Sequence, residues 1–127
     1  MTGPAAGPRR GEGPSARARR LGVAGEAATA RWYEAAGYRV LERNWRCPDG
    51  EIDLVCRREG TVVVVEVKTR STTAYGPPVA AVTAAKQRRL RRLAARWLRE
   101  RRVRCAVVRF DVAGVTGGRI DVVEGAF

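Results

Sequence analysis

Residues 50–70 read GEIDLVCRREGTVVVVEVKTR, and the four consecutive valines at 62–65 form the most hydrophobic segment of the chain. Successive side chains of a strand lie on opposite faces of a sheet, so this run predicts a central strand that is covered on both sides. The charged residues Glu66 and Lys68 follow directly at the end of the strand. Burying such charges costs several kcal/mol for each ion unless they are compensated, which indicates that they serve a purpose.

The segment before the valine run predicts a β-hairpin with its loop at residues 59–60. In that register Asp53 lies directly opposite Glu66 on one face of the sheet, with Cβ atoms about 5 Å apart. Glu51 lies opposite Lys68. Two carboxylates at that spacing repel each other, so that either one takes up a proton or a cation binds between them.

Oxygen ligands that are accompanied by waters suit Mg²⁺ or Mn²⁺. Such an ion can activate water and neutralise charge on a phosphate group. Lys68 would place a positive charge near the same point, where it can stabilise a transition state or orient the attacking water. The alternative is a structural network, in which Glu51 pairs with Lys68 and Asp53 pairs with an arginine. The hairpin geometry leaves both interpretations open.

The composition narrows the class of protein and the chemistry. A chain of 127 residues is long enough for one domain with a single core, and no apolar run approaches the ~20 residues that a membrane helix needs. We therefore expect a cytoplasmic protein that does not enter a membrane. Because the chain contains no histidine, histidine-based triads and histidine-bound zinc are excluded. The three cysteines fit neither a disulfide framework nor a zinc site.

The formal net charge of +12 predicts the kind of partner. Such a surplus favours polyanions, chiefly nucleic acid and most of all DNA, through contacts with phosphates and release of counterions. An arginine-rich coding bias is the alternative explanation, although it does not explain why the acidic residues are so much fewer than the basic ones.

The pattern along the chain predicts a tail followed by one domain. Residues 1–20 are rich in Gly, Pro, Ala and Arg without periodicity and predict a disordered basic tail, and residues 21–127 predict the domain. The predicted helices span residues 22–36 and 83–101. A first strand is predicted to begin at residue 38, and four more are predicted over 51–57, 61–69, 105–113 and 119–124. The order αβββαββ predicts an α/β fold, with a mixed central sheet of about five strands flanked by helices.

The second predicted helix is amphipathic, with Thr83 as its N-cap. Its apolar stripe has the spacing of a helix that packs on a core and comprises Leu90, Leu93, Ala94, Trp97 and Leu98. We expect the basic residues of this helix to bind nucleic-acid phosphates, and the candidates are Lys86, Arg88, Arg89 and Arg92.

The residues Asp53, Glu66, Val67 and Lys68 match the pattern D-x(n)-E-x-K. This pattern resembles the PD-(D/E)xK nucleases, which share the restriction-endonuclease-like fold. Longer segments are more specific: GEIDLV, VEVKTRS, YGPP and AVTAAKQRRL, within residues 22–121, resemble the YraN-like family of bacterial proteins. That family is grouped with Holliday-junction-resolvase-like nucleases, so the resemblance implies a single nuclease-like domain.

The resemblance implies roles for individual residues. Asp53 and Glu66 correspond to the metal-binding acids and Lys68 to the catalytic lysine, and the backbone carbonyl of Val67 is implied as a further metal ligand. Glu26 corresponds to a helix-borne acid that reaches the metal and takes part in catalysis in resolvase-like members. A solvated acid near the start of a helix is the alternative for Glu26.

Further candidates flank this set. Gln87 resembles the helix residue with which some nucleases position substrate or water, and an interfacial polar residue is the alternative. Arg70 and Ser71 follow the lysine and can contact a phosphate. Tyr75 can stack on a base or close over a nucleic-acid strand, or it can anchor the loop. We interpret Asp111 as a structural residue or an outer electrostatic partner.

Three functions are compatible with these features. The first is a Mg²⁺- or Mn²⁺-dependent endonuclease that hydrolyses phosphodiester bonds in DNA, with branched or structured DNA as the candidate substrate. Because resolvase relatives are symmetric dimers, the resemblance also implies a homodimer. The second is a non-catalytic nucleic-acid-binding module with a residual site, since family membership does not guarantee activity. The third is a scaffold whose basic helix meets an acidic partner.

Overall fold

The structure is a computed structural model that describes residues 13–70 and 76–127. Its elements are helix α1 (Pro14–Ala35), strands β1 (Arg39–Cys47), β2 (Gly50–Arg58) and β3 (Thr61–Arg70), a short 3₁₀ turn (Pro78–Ala81), helix α2 (Ala84–Arg101), and strands β4 (Val107–Thr116) and β5 (Arg119–Val123). The five strands form one sheet in the order β1-β2-β3-β4-β5. The predicted fold class, a mixed α/β domain of the restriction-endonuclease-like kind, is confirmed.

Strand β3 is the centre of this sheet, as its valine run predicts. It pairs antiparallel with β2 and parallel with β4. Helix α2 lies in the connection from β3 to β4. Val62 and Val64 pack in the cluster beneath α2, whereas Val63 and Val65 pack in the cluster beneath α1. The two helices therefore cover opposite faces of the sheet. In the part of the chain that the structure describes, neither helix is long and apolar enough to cross a membrane.

Helix α1 begins at Pro14, earlier than the sequence predicts. The expectation of a disordered tail over residues 1–20 is therefore wrong for the part from Pro14 onward. A proline in the first turn of a helix costs no hydrogen bond, and the alanines and arginines that follow are strong helix formers. The prediction for residues 1–12 falls outside the described part of the chain.

Helix α1 ends where the sequence predicts, at a glycine with a positive φ. Gly37 has φ +92° and donates its N–H to the Glu34 carbonyl, and the Tyr38 N–H bonds to the Tyr33 carbonyl over 2.9 Å. The rings of Tyr33 and Tyr38 meet edge to face, with centroids 5.2 Å apart. This pattern is a Schellman motif with its usual hydrophobic contact, and it turns the chain directly into β1.

The hydroxyl of Tyr33 also reaches a buried acid. It donates to Asp111 Oδ2 at 2.6 Å, while Arg109 Nε and the Gly125 N–H donate to Oδ1 at 2.9 and 3.0 Å. Asp111 therefore has the structural role that the sequence suggested, and it ties α1 to β4 and to the C-terminal segment.

The regular alternation of side chains breaks on both strands of the β1–β2 pair. Arg43 pairs with Leu54 and Trp45 pairs with Ile52, and the residues between them, Asn44 and Asp53, form no ladder pair. Asn44 has φ +51°, a left-handed conformation that asparagine tolerates better than most residues. As a result Ile52 lies in the same core cluster as Val55, three positions along β2. Asp53 therefore lies at an irregularity in the sheet.

Helix α1 crosses close to the end of β3 because Gly25 has no side chain. A Cβ atom at this buried position would collide with Thr69 Oγ1. Glu26 is the next residue, so this close approach carries an acidic side chain towards the ends of β2 and β3.

We expect Gly25→Ala to destabilise the protein by about 1–3 kcal/mol, because the new methyl group forces α1 away from β3. Gly22→Ala in the same helix meets nothing within 4 Å and is expected to stabilise by about 0.5–1 kcal/mol. Urea unfolding of both variants measures the contrast. Thr69→Ala, added to Gly25→Ala, should restore part of the loss, and equal effects of the two alanine substitutions would contradict the packing argument.

Candidate functional site

The predicted hairpin register is confirmed where the ladder is formed. Leu54 pairs with Val65 and Val55 with Val64. The ladder stops there, and the next contact uses a side chain, since the Val67 N–H donates to Asp53 Oδ2 at 2.8 Å. Asp53 is 9% exposed and Glu66 5% exposed, so two buried acids lie at the ends of neighbouring central strands.

The environment of Asp53 disfavours its charged form. Burial, and then the negative charge of Glu66, raise the pKa of Asp53 to about 7, while the hydrogen bond from Val67 opposes them. Near neutral pH this carboxyl group is therefore poised between its protonated and ionised forms. A cation beside it would favour the ionised form.

Glu66 is held by two ammonium groups. Lys68 Nζ lies 3.4 Å from Glu66 Oε2, and Lys86 Nζ of α2 lies 3.2 Å from the same oxygen. Sequence reasoning assigned Lys86 to the basic face of the helix, yet the structure places it at the acid pair. The signal was present, because Lys86 lies one helical turn before Leu90 and so extends the buried stripe.

Glu51 does not face Lys68, contrary to the predicted pairing. Its carboxylate lies 3.2 Å from Arg46 Nε, and Arg46 is also its ladder partner on β1. The β2–β3 ladder has already ended at Leu54, so the antiparallel partner on β1 is the nearer cation. Lys68 is oriented by Glu66 instead.

Glu26 lies at the edge of the site. Burial raises its pKa, a hydrogen bond from the Asn44 side chain opposes this effect, and the charges of Glu51 and Glu66 raise the pKa further. It lines an open cleft of about 530 Å³ together with Arg19, Gly22, Val23, Asn44, Arg46 and Glu51. Across residues 13–70 and 76–127, no three acidic or cysteine side chains gather closely enough to hold a metal ion. The structure thus brings Glu26 near the pair without adding it to a three-acid cluster.

Two of the flanking candidate residues form local hydrogen bonds, and the other two lie outside the residues that the structure describes. Gln87 Nε2 donates to the Val82 carbonyl at 3.2 Å and so ties α2 to the segment before it. Arg70 Nη1 donates to the Gly76 carbonyl at 2.7 Å and so ties the end of β3 to the segment that begins at Gly76. Ser71 and Tyr75 lie outside the described residues.

The exposed face of α2 begins beside Lys86. Arg88, Arg89 and Arg92 are exposed, and within the described ranges they form no ion pair or side-chain hydrogen bond. Elsewhere on this helix Arg96 pairs with Asp49 and Glu100. Most of the arginines of α2 that form no ion pair in the described ranges therefore lie on the half of the helix nearest the acid pair, and Arg99 lies on the other half.

Asp53→Asn is expected to change the pH dependence of stability in the absence of metal. The carboxyl group binds its proton more tightly when folded (pKa about 7) than when unfolded (about 4). Its contribution to stability therefore falls as pH rises from about 4 to about 7. Asparagine does not titrate and can still accept the Val67 hydrogen bond.

The variant should consequently exceed the wild type in stability at pH 8 by on the order of 2 kcal/mol, and the difference should shrink towards pH 4. Thermal unfolding in EDTA at several pH values measures it. Glu59→Gln, which removes an exposed acid at the far end of the same hairpin, is the control. An Asp53→Asn variant that is less stable than the wild type at pH 8 would contradict the assigned burial penalty.

Comparison with known proteins identifies relatives across most of the chain. Residues 25–115 match the sequence profile described as "Uncharacterised protein family UPF0102". A UPF0102 protein of Beutenbergia cavernae is 58% identical over 95 residues, covering 75% of this chain and 80% of the relative. UPF0102 proteins of Geobacter metallireducens and Moorella thermoacetica are 46% and 45% identical, covering 82% and 86% of this chain and 86% and 96% of their own lengths. All the residues of the acid pair, its two lysines and Glu26 lie inside the matched segment, and the chain belongs to the UPF0102 family.

Proposed function

We propose that this protein is a divalent-metal-dependent endonuclease that hydrolyses phosphodiester bonds in DNA. The observation that carries the proposal is the buried pair of Asp53 and Glu66 at the ends of β2 and β3, with the Lys68 ammonium 3.4 Å from Glu66. A merely structural ion network would neutralise its acids, whereas burial and Glu66 raise the pKa of Asp53. The resemblance to PD-(D/E)xK nucleases supports the same residues.

The donor set fits Mg²⁺ or Mn²⁺. Two carboxylates and the Val67 carbonyl are hard oxygen ligands, and Mg²⁺ usually binds through one or two carboxylates and keeps several waters. Asp53, Glu66 and Val67 would hold the ion, with Glu26 at the edge of the site. When bound, it would supply Lewis-acid activation of water and neutralise charge on the phosphate.

Lys68 would act on the substrate, and Lys86 would act on the Glu66 carboxylate. The Lys68 side chain is 31% exposed, so its ammonium meets both Glu66 and solvent. It would donate hydrogen bonds to a phosphate oxygen or to the attacking water and stabilise the charge that develops in the transition state. Lys86 would hold the Glu66 carboxylate from the side of α2 and so fix its orientation.

The substrate would lie across the start of α2. Arg88, Arg89 and Arg92 are exposed there and would contact backbone phosphates, which carry no sequence information. A net charge of +12 supports a polyanionic substrate.

A non-catalytic nucleic-acid-binding module is the second candidate, and one observation favours it. Glu66 Oε2 already has two ammonium partners, a degree of compensation that a site without metal would need. Metal titration separates the two candidates, because the module predicts DNA binding that is indifferent to Mg²⁺ and Mn²⁺.

The wild-type protein is expected to nick supercoiled or four-way-junction DNA in Mg²⁺ or Mn²⁺. Asp53→Asn and Lys68→Ala should each lower the cleavage rate by at least about 100-fold while DNA affinity changes little. Metal should also raise the thermal midpoint of the wild type and not that of Asp53→Asn. Protein that binds DNA without cutting it in either metal, and without any metal-induced shift, would establish the binding module.

Lys86→Met and Arg88→Met should separate positioning of the acid from binding of DNA. Lys86 contacts Glu66, so its loss should lower kcat by about 10-fold or more with little change in DNA affinity. Arg88 is exposed, so its loss should weaken DNA binding and reduce the salt slope by about 1. Equal effects of the two substitutions on affinity would place Lys86 on the DNA-binding face instead.

A further inference from the structure

A second concentration of positive charge lies at the opposite end of the β2–β3 hairpin. Here an open pocket of about 550 Å³ is lined by Gly37, Arg39, Arg57, Arg58 and Glu59. Arg58 lies five positions along β2 from Asp53, which corresponds to roughly 17 Å along a strand. The pocket is therefore separate from the acid pair.

Neutral groups hold the guanidinium groups of this pocket in place. Arg57 donates from Nε to the Glu59 carbonyl at 2.9 Å and from Nη2 to the Arg104 carbonyl at 2.8 Å. Arg58 donates from Nη1 to the Ala36 carbonyl at 2.9 Å, and its guanidinium carbon lies 4.4 Å from the centre of the Tyr38 ring. Carbonyls and an aromatic face orient the two side chains but leave their charges uncompensated.

The third arginine increases this imbalance. Arg39 is the ladder partner of Arg57 on β1, and like charges directly opposite each other on neighbouring strands are destabilising. In the described part of the chain none of the three arginines forms an ion pair, and Glu59 is the acid in the lining. By contrast Arg96, Arg101 and Arg109 each lie within 3.5 Å of a carboxylate oxygen.

We propose that this pocket binds a phosphate group. Guanidinium groups that are already oriented lose little entropy on binding, and their planar forks match phosphate oxygens better than a point charge does. Three arginines and one glutamate line the pocket, and this surplus of positive charge suits an anion with more than one charge. The phosphate comes either from a nucleic-acid backbone or from a free phosphate compound.

Titration of the full chain with pyrophosphate tests the site directly. Binding is followed by the shift in thermal midpoint in EDTA, at an ionic strength held constant with NaCl. Arg39→Gln is expected to weaken pyrophosphate binding by about 10-fold. Arg43→Gln is the matched control, because Arg43 is an exposed arginine on the same strand that does not line the pocket, and it should change the affinity by less than about 2-fold.

Glu59→Gln gives a test that a folding defect cannot imitate. Removing the acid from the lining should tighten pyrophosphate binding by about 3-fold or more, and a damaged fold would weaken it instead. Equal affinities for Arg39→Gln and Arg43→Gln, or no tightening in Glu59→Gln, would overturn the proposal.

A second arm identifies the source of the phosphate. The affinity for a fluorescent single-stranded oligonucleotide is measured in the same EDTA buffer, where no metal-dependent cleavage intervenes. A selective loss in Arg39→Gln supports a nucleic-acid phosphate, and loss of pyrophosphate binding alone supports a free phosphate compound. Both measurements are independent of turnover, so the pocket and the proposed nuclease activity can fail separately.

Discussion

The hydrogen bond from the Val67 N–H to Asp53 Oδ2 is the interaction on which the candidate site depends. The backbone ladder between β2 and β3 ends at Leu54 and Val65, and at the next position a carboxylate replaces the backbone acceptor at 2.8 Å. The side chain of Asp53 is thereby held inside the sheet, next to Glu66, instead of turning towards solvent. Any cation that the two acids share is bound at a place fixed by the two central strands, which are the most buried part of the fold.

Two aspartates are buried in the described part of the chain, and their comparison shows what is unusual about the environment of Asp53. Asp111 is fully buried, and it accepts hydrogen bonds from Tyr33, Arg109 and the Gly125 N–H. Its charge is matched by a guanidinium group, as buried charges normally are. Asp53 has the Val67 N–H and an acidic neighbour, and its pKa is raised to about 7. The fold therefore surrounds Asp111 with compensating groups and places Asp53 beside a second acid, and carboxyl groups perturbed in this way are common at functional sites.

The main features of the fold could be predicted from the sequence because they follow from local periodicity. The valine run gave the central strand, the Glu59-Gly60 loop gave the register, and Thr83 does cap α2, since its side chain accepts from the Lys86 N–H at 3.2 Å. The predicted start of α1 was wrong because a segment rich in Gly, Pro, Ala and Arg without periodicity was taken as disordered, although alanine and arginine are strong helix formers.

The details of the site were harder to predict because they depend on an irregularity. Strict alternation on β2 pairs Glu51 with Lys68, yet the left-handed Asn44 on β1 breaks that alternation and Glu51 pairs with Arg46. Nothing in the residue order marks such a break until β1 and β2 are aligned with each other. The position of Lys86, by contrast, could be predicted from the sequence. Its spacing to Leu90 places it on the buried stripe of α2, although its charge alone suggested the exposed face.

The arrangement of the arginines bears on why the chain is so basic. A coding bias explains how many there are, but it gives no reason for where their charges are compensated. Arg101 pairs with Glu42 and Arg109 with Asp111, at positions where they join α2 or α1 to the sheet. Among the arginines without carboxylate partners in the described structure, one group lies at the start of α2, beside the acid pair, and another lies at the hairpin loop. Others, such as Arg43 and Arg99, lie elsewhere on the surface. The ion pairs of Arg101 and Arg109 therefore help to fix the helices on the sheet, whereas the two groups of uncompensated arginines lie on surfaces that solvent reaches. Both surfaces would attract a polyanion, and the one at the start of α2 adjoins the acid pair at which we propose that phosphodiester bonds are hydrolysed.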